Sequence, residues 1–329
     1  MNSKRTTAAL TLLFLLPWGI QFLVGNFLSI YVASLPFASE QTIGMVISLG
    51  SVVTMISQFL WTRQADRAKN KSTVLALSLV LLAACSALFL ILEVHSEWLL
   101  LILVVLFYSC YMTHQPLIDT IASETYSATN HAFGWFRSFA SLGYGCMGIF
   151  FLILPHKTPN TFFLYVVFLA LISAVISKQI HSTQRPLLPA DQAAQHSSTK
   201  SIFTAQFIKF LIYSFLLFVA STILGYFFPV YFSTDKGINH DVGYFSFIIS
   251  AGTFLEWGLM ILFEKRLTSL SPKLVFALIP LAGIFRSGII YATENPYIMS
   301  FSVVFSGVWF SILWSSSTPY IKKYFRKTV

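Results

Sequence analysis

SQFLWTRQADRAKNKSTVL, residues 57–75, sets Arg63, Arg67, Lys69 and Lys71 around a single acid, Asp66, between two long apolar runs. Apolar chain on both sides of a short basic stretch reads as two membrane helices joined by a tight turn. A hydrocarbon core of about 30 Å needs about 20 apolar helical residues. Backbone polar groups must be satisfied within each span. Working outward from residues 57–75, the same alternation predicts ten spans, at 8–34, 42–61, 73–93, 98–123, 134–155, 160–179, 205–232, 242–263, 274–292 and 296–320.

Composition agrees. Of 329 residues, 56% are hydrophobic, 16% aromatic and only 10% charged, against about 25% charged in an ordinary soluble domain. The expectation is an all-α, polytopic membrane protein in contact with the lipid bilayer. The net charge of +9 does not point to nucleic acid, because the basic residues lie between apolar runs instead of on an aromatic-interleaved soluble face. Cys85, Cys110 and Cys146 each fall inside an apolar run with no metal spacing; they read as small core residues, and neither a metal nor a cofactor is expected. The apolar stretch behind Lys4 and Arg5 is too long for a signal-peptide core, so the first span is expected to stay.

Basic residues accumulate in cytoplasmic loops. With the N-terminus inside, the inner segments hold 16 of the 21 Lys and Arg, while the outer loops hold Lys157 and Lys236; Arg137, Lys209 and Arg286 lie at or inside spans. Both termini are therefore expected in the cytoplasm, with the chain in the cell membrane. The polar stretch 180–204, rich in Ser, Gln and Pro, reads as a cytoplasmic linker. It divides a six-span N-terminal bundle, 1–179, from a four-span C-terminal bundle, 205–329. A basic stretch between the second and third spans recurs in the second half as FEKRLTSLSPK, residues 263–273, and parallel six-helix repeats are a transporter architecture.

A charge within a bilayer costs at least about 2.5–3.5 kcal/mol and is kept where it faces a cavity or a partner. Four such residues stand out: Asp119, Arg137, Glu256 and Arg286. Tyr108, Tyr111, Gln115 and Asp119 are spaced for one helical face, with His114 beside them and Pro116 able to kink the helix. Trp18, Gln21, Gly25 and Ser29 form a similar stripe on the first span, with Asn26 alongside, and Ser246, Ser250, Thr253 and Glu256 one on the eighth. The small hydroxyl residues serve equally as helix glue. Asp119 and Arg137 fall at comparable depth on adjacent antiparallel spans and are expected to pair or share a cavity, although Arg137 also lies within snorkelling reach of the interface. Glu256 and Arg286 differ by about 10 Å in depth and are expected to line a cavity without bonding to each other. His114 reads equally as a packing residue.

These residues carry a family resemblance. SQFLWTRQADRAKNKSTVL resembles the signature loop between the second and third helices of the major facilitator superfamily. PLIDTIASETYSATNHAFGWFRSFASLGYG, residues 116–145, is similar to the fourth and fifth helices of its lactose permease and phenylpropionate-permease-like branch. LEWGLMILFEKR and GIFRSGIIY, from Leu255 and Gly283, resemble the eighth and ninth helices. The resemblance implies that Asp119, Arg137, Glu256 and Arg286 contact a solute near the midplane between two bundles; the polar stripes, expected on helices around a central cavity, add Gln21, Tyr111 and Gln115 as solute-binding candidates. It implies proton-coupled symport of a small polar organic solute such as a sugar, nucleoside or aromatic acid, with Glu256, Asp119 and His114 handling the proton and Asp66 and Arg67 in a gating hinge. There are three departures: Thr62 stands where the loop has its first glycine and the second is also missing; the tenth span has Ser306 where a His or acid is common; and ten spans stand against the family's twelve. The expected protein is a transporter, not an enzyme, with a second bundle that looks truncated. A remnant or membrane sensor that keeps the fold without the cycle is the alternative.

Overall fold

The computed structural model describes residues 3–125, 133–153, 159–180, 205–235, 237–269 and 271–325. They form eleven helices and no strand: α1 Ser3–Ala33, α2 Glu40–Arg67, α3 Lys71–Ile91, α4 Glu97–Tyr108, α5 His114–Thr125, α6 Phe133–Ile153, α7 Thr161–Ser177, α8 Ala205–Ser233, α9 Val242–Ser269, α10 Pro272–Ala292 and α11 Pro296–Phe325. Eight are long and apolar enough to cross a bilayer, and α4 and α7 are shorter apolar helices. The protein is a multi-pass, all-helical membrane protein. Lys157, Lys236 and the linker from His181 to residue 204 lie outside the described residues.

Short polar residues start the helices. Ser39 opens α2 in a capping box with Thr42, and the Thr42 hydroxyl goes on to donate to Glu97 at 2.9 Å. Asn70, Ser96 and Ser271 accept from the first turns of α3, α4 and α10. Each of these caps satisfies one of the backbone donors that a helix start leaves open. The signature turn is therefore only residues 68–70 long, and Asp66 and Arg67 belong to the last turn of α2.

Two compact units emerge. One holds α1–α7 together with Pro229–Ser250; the other holds the first part of α8 and the chain from Ala251 onward. In the first unit α1 is central, and Leu13, Phe14, Ile20, Phe22, Leu23 and Val24 are all fully buried on it. A helix apolar on all sides belongs in a core. Glycine lets neighbours approach: a methyl group at Gly143 on α6 would run into the Leu15 carbonyl, and one at Gly50 on α2 would lie 2.7 Å from the Tyr108 ring. In the second unit Val275, Ile279 and Ala282 of α10 pack on Trp309, Ile312 and Leu313 of α11. Most of α8 presents apolar side chains outward, among them Phe215 and Leu216, as a lipid-facing helix does.

The fourth span departs from the expected single helix over 98–123. It breaks after Tyr108 and restarts at His114, with Met112 in the left-handed region at φ 62. Proline explains the site of the break: Pro116 has no N–H to give the carbonyl four residues back, and its ring clashes with that carbonyl. That carbonyl is Met112's. The interruption thus falls one turn before the proline, and Pro116 sits in the first turn of α5, where a missing donor costs little. Consequently Tyr108 and Tyr111 do not continue the Gln115 and Asp119 face as one stripe. The loosened carbonyls find other donors, as irregular backbone at membrane depth requires. Gln58 Nε2 donates to Met112 O at 3.0 Å, Trp61 Nε1 to Ser109 O at 2.9 Å and Thr113 Oγ1 to Cys110 O at 2.6 Å. The cysteines also differ from a uniform core set: Cys110 is buried, Cys85 half-buried and Cys146 exposed.

Candidate functional site

The break determines what α5 can present. Restarting the helix at His114 buries that side chain, at 1% exposure, with neither ring nitrogen hydrogen-bonded to protein. Its ring lies edge-on to Trp18 of α1 at 6.0 Å and against Tyr111 at 6.4 Å. Trp18 is buried, and the Arg137 guanidinium carbon, from α6, sits 4.8 Å from the centre of its ring. An arginine over an indole face gains cation–π attraction, strengthened where water is excluded. Trp18 therefore joins α1, α5 and α6 at one point.

Asp119 follows His114 by five residues on α5. It is half-buried, its Oδ1 is buried without a hydrogen bond, and the Arg137 charge is close enough to act on it electrostatically. Gln115 lies one turn before Asp119 on the same helix and is half-buried. On α1, Gln21 stands one turn beyond Trp18, and its Oε1 is buried without a partner. One further turn along, Asn26 donates to the Tyr144 hydroxyl at 2.9 Å and to the Phe22 carbonyl at 2.8 Å. Asp119, Arg137, His114, Tyr111, Gln115 and Gln21 are thus all in the first unit. Trp18 gathers Arg137 and His114 directly, and Tyr111 reaches it through His114.

In the second unit Arg286 of α10 is 6% exposed. Its Nη1 donates to Ser306 Oγ on α11 at 3.2 Å, and its guanidinium carbon lies 5.7 Å from the Phe228 ring centre. Ser306, noted in the sequence for what it replaces, is therefore a partner of the buried arginine. Glu256 is half-buried on α9. Ser246 and Ser250 donate to carbonyls one turn back on their own helix, Val242 and Ser246, and Ser250 packs where a side chain at Gly148 would sit. They serve packing.

At the end of the first unit that carries the signature turn, Lys71 Nζ bridges Glu124 of α5 at 2.6 Å and Asp66 of α2 at 3.5 Å. Asp66 is 71% exposed. Glu124 lies five residues beyond Asp119, so one short helix joins the polar cluster to the ion pair. A groove of about 570 Å³ along α1, α6 and α7, lined by Leu15, Gly19, Gly143, Met147, Phe150 and Tyr165 among others, is apolar and contains none of the candidate polar residues.

Sequence reasoning passed over Gln58, Trp61 and Tyr144 and named Trp18 only as a member of the first span's polar stripe. Trp18 is three residues from Gln21, and Tyr144 is seven from Arg137, so helical spacing alone places each beside a candidate. Gln58 and Trp61 carry no such signal, since their partners are backbone carbonyls freed by a break elsewhere.

Residues 8–329 match the family model described as Major Facilitator Superfamily. The chain is 22% identical over 302 residues to the "Uncharacterized transporter YwbF" of Bacillus subtilis (strain 168), covering 90% of this chain and 73% of that one. Its fold is similar to the crystal structure of a point mutant of the nucleoside transporter NupG, with TM-score 0.76, 16% identity, and 96% and 83% of the two chains covered. It is also similar to that of a D-xylose-proton symporter, with TM-score 0.67, 14% identity, and 95% and 80% covered. With a family match spanning nearly all of its length, the chain belongs to the Major Facilitator Superfamily.

Proposed function

We propose that the protein is a secondary active transporter, not an enzyme, which carries a small polar organic solute across the cell membrane by alternating access in symport with protons. The observation that carries this reading is the contact of Arg137 and His114 with Trp18 inside the first unit. Asp119 and Gln21, on the same helices as His114 and Trp18, add buried polar atoms to an otherwise apolar bundle. Ionisable side chains inside a membrane bundle are costly and mark a functional site by default. The likeness to a nucleoside transporter and to a D-xylose-proton symporter supports solute transport, and the second supports proton coupling.

In this reading Asp119 and Arg137 hold the solute, with Gln21, Tyr111 and Gln115 nearby, and Arg286 and Glu256 are the candidate solute residues of the second unit. Glu256 is the first choice of proton carrier, with Asp119 and His114 as further candidates. The termini face the cytoplasm, as the distribution of basic residues implies, which puts the Lys71 ion pair and the Asp66–Arg67 turn at the cytoplasmic end as part of the gate. Arginine near a carboxylate favours its charged form and desolvation its neutral form, so a change in access can load and unload a proton.

Proteoliposomes test the reading. Solute-driven alkalinisation of the outer medium is expected from the wild type and lost in Glu256→Gln. Solute uptake with no accompanying proton movement would remove the coupling.

A further inference from the structure

The break in the fourth span also gathers two of the three cysteines. Cys85 Sγ, from α3, donates to the Leu106 carbonyl at 3.5 Å. The Ser109 hydroxyl donates to the same carbonyl at 2.6 Å and lies 3.6 Å from Cys110 Sγ. The two thiols are themselves within side-chain hydrogen-bond reach of each other. Both belong to one apolar cluster, in which Cys110 is buried and Cys85 half-buried. Cys146 lies on α6 and is exposed.

We propose that Cys85 and Cys110 are a redox-active thiol pair that closes reversibly to a disulfide and so ties α3 to the break. The inference stands apart from the transporter reading above and does not depend on it.

Depth decides between the two things that neighbouring thiols can do. Cys85 lies about 21 Å along α3 from Lys71 at ordinary helical rise, at membrane depth, where a charge is costly. Thiolates suit soft metal ions such as Cu(I), but two of them around one monovalent cation would leave a net negative charge in the bundle. A disulfide leaves none. The oxidant it needs is a small neutral peroxide. Cys85, the more open of the two, reacts first: its sulfur bonds to one peroxide oxygen, the O–O bond breaks, and the thiol proton leaves with the other oxygen as water, so that Cys85 becomes a sulfenic acid. The Cys110 sulfur then attacks the Cys85 sulfur, the S–O bond breaks, and the Cys110 proton leaves with that hydroxyl as a second water. Two electrons pass to the peroxide, and both thiol protons end in water. The new bond closes a loop over residues 86–109 and fixes the segment from which α5 restarts.

Treatment of the purified full-length chain in micelles with hydrogen peroxide, followed by alkylation, peptide mapping and intact mass, tests this. The three thiols of the reduced chain are expected to fall to one, Cys146, with a mass loss of about 2 Da, a peptide joining Cys85 to Cys110, and full recovery on adding dithiothreitol. Cys85→Ala and Cys110→Ala should each abolish the cross-link within the chain. The oxidised wild type should unfold at higher denaturant concentration than the reduced one, because the bond constrains the unfolded chain. The wild-type readouts stand even if an alanine variant fails to fold. Peroxide that leaves Cys85 and Cys110 as thiols, oxidises either one singly to a sulfinic acid, or joins either to Cys146 would overturn the assignment. So would an oxidised chain that unfolds earlier than the reduced one, since the bond would then distort the fold in place of joining neighbours.

Discussion

Gln58 on α2 donates its side-chain amide to the Met112 carbonyl at 3.0 Å, in the middle of a span that sequence alone draws as one helix. One turn along α2, Trp61 does the same for Ser109. The broken fourth span is thus held open by the second, and the polar cluster depends on that hold, because the restart of α5 is what buries His114 against Trp18.

Removing either donor strands a carbonyl at membrane depth. Gln58→Leu and Trp61→Phe are each expected to lower stability by about 1–3 kcal/mol, read as earlier chemical unfolding in micelles.

Pro116→Ala restores an N–H that the Met112 carbonyl can accept. The combination Gln58→Leu with Pro116→Ala should therefore be more stable than Gln58→Leu alone, with a coupling of about 0.5 kcal/mol or more. Strict additivity would mean that Gln58 does not act through that carbonyl.

Gly143→Ala puts a methyl group into the Leu15 backbone and Gly50→Ala into the Tyr108 ring. Each is expected to cost about 1–3 kcal/mol. Gly25→Ala meets nothing within 4 Å and should be neutral or stabilise by up to about 1 kcal/mol through helix propensity. The same unfolding assay ranks all three.

A double-mutant cycle on Lys71→Met and Glu124→Gln should show a coupling of about 1 kcal/mol that shrinks with added salt. The corresponding cycle with Asp66→Asn should show little, given the 3.5 Å separation and the exposure of Asp66.

Hydropathy and the placement of Lys and Arg made the spans legible, because the bilayer imposes one length and one backbone solution on every crossing. The buried charges were legible for the same reason. The break at residues 109–113 was not: Pro116 announces a defect, yet its position depends on whether carbonyls such as Met112's find donors, and Gln58 and Trp61 are distant in sequence. Nor does spacing reveal that Arg137 rests on Trp18, since a long side chain chooses among several neighbours once the helices have packed. Arg286 shows the same limit. Its depth marked it as a cavity residue, whereas its bond to Ser306 required knowing which face of α11 turns toward α10.

Counterflow of labelled uridine or D-xylose into proteoliposomes tests the central claim most directly, because it reports solute binding and passage without requiring a proton gradient. Saturable counterflow is predicted for the wild type, with a fall of about tenfold or more in both Asp119→Asn and Arg137→Gln, each of which removes a charge-assisted contact. Counterflow that both variants retain at the wild-type rate would contradict the account.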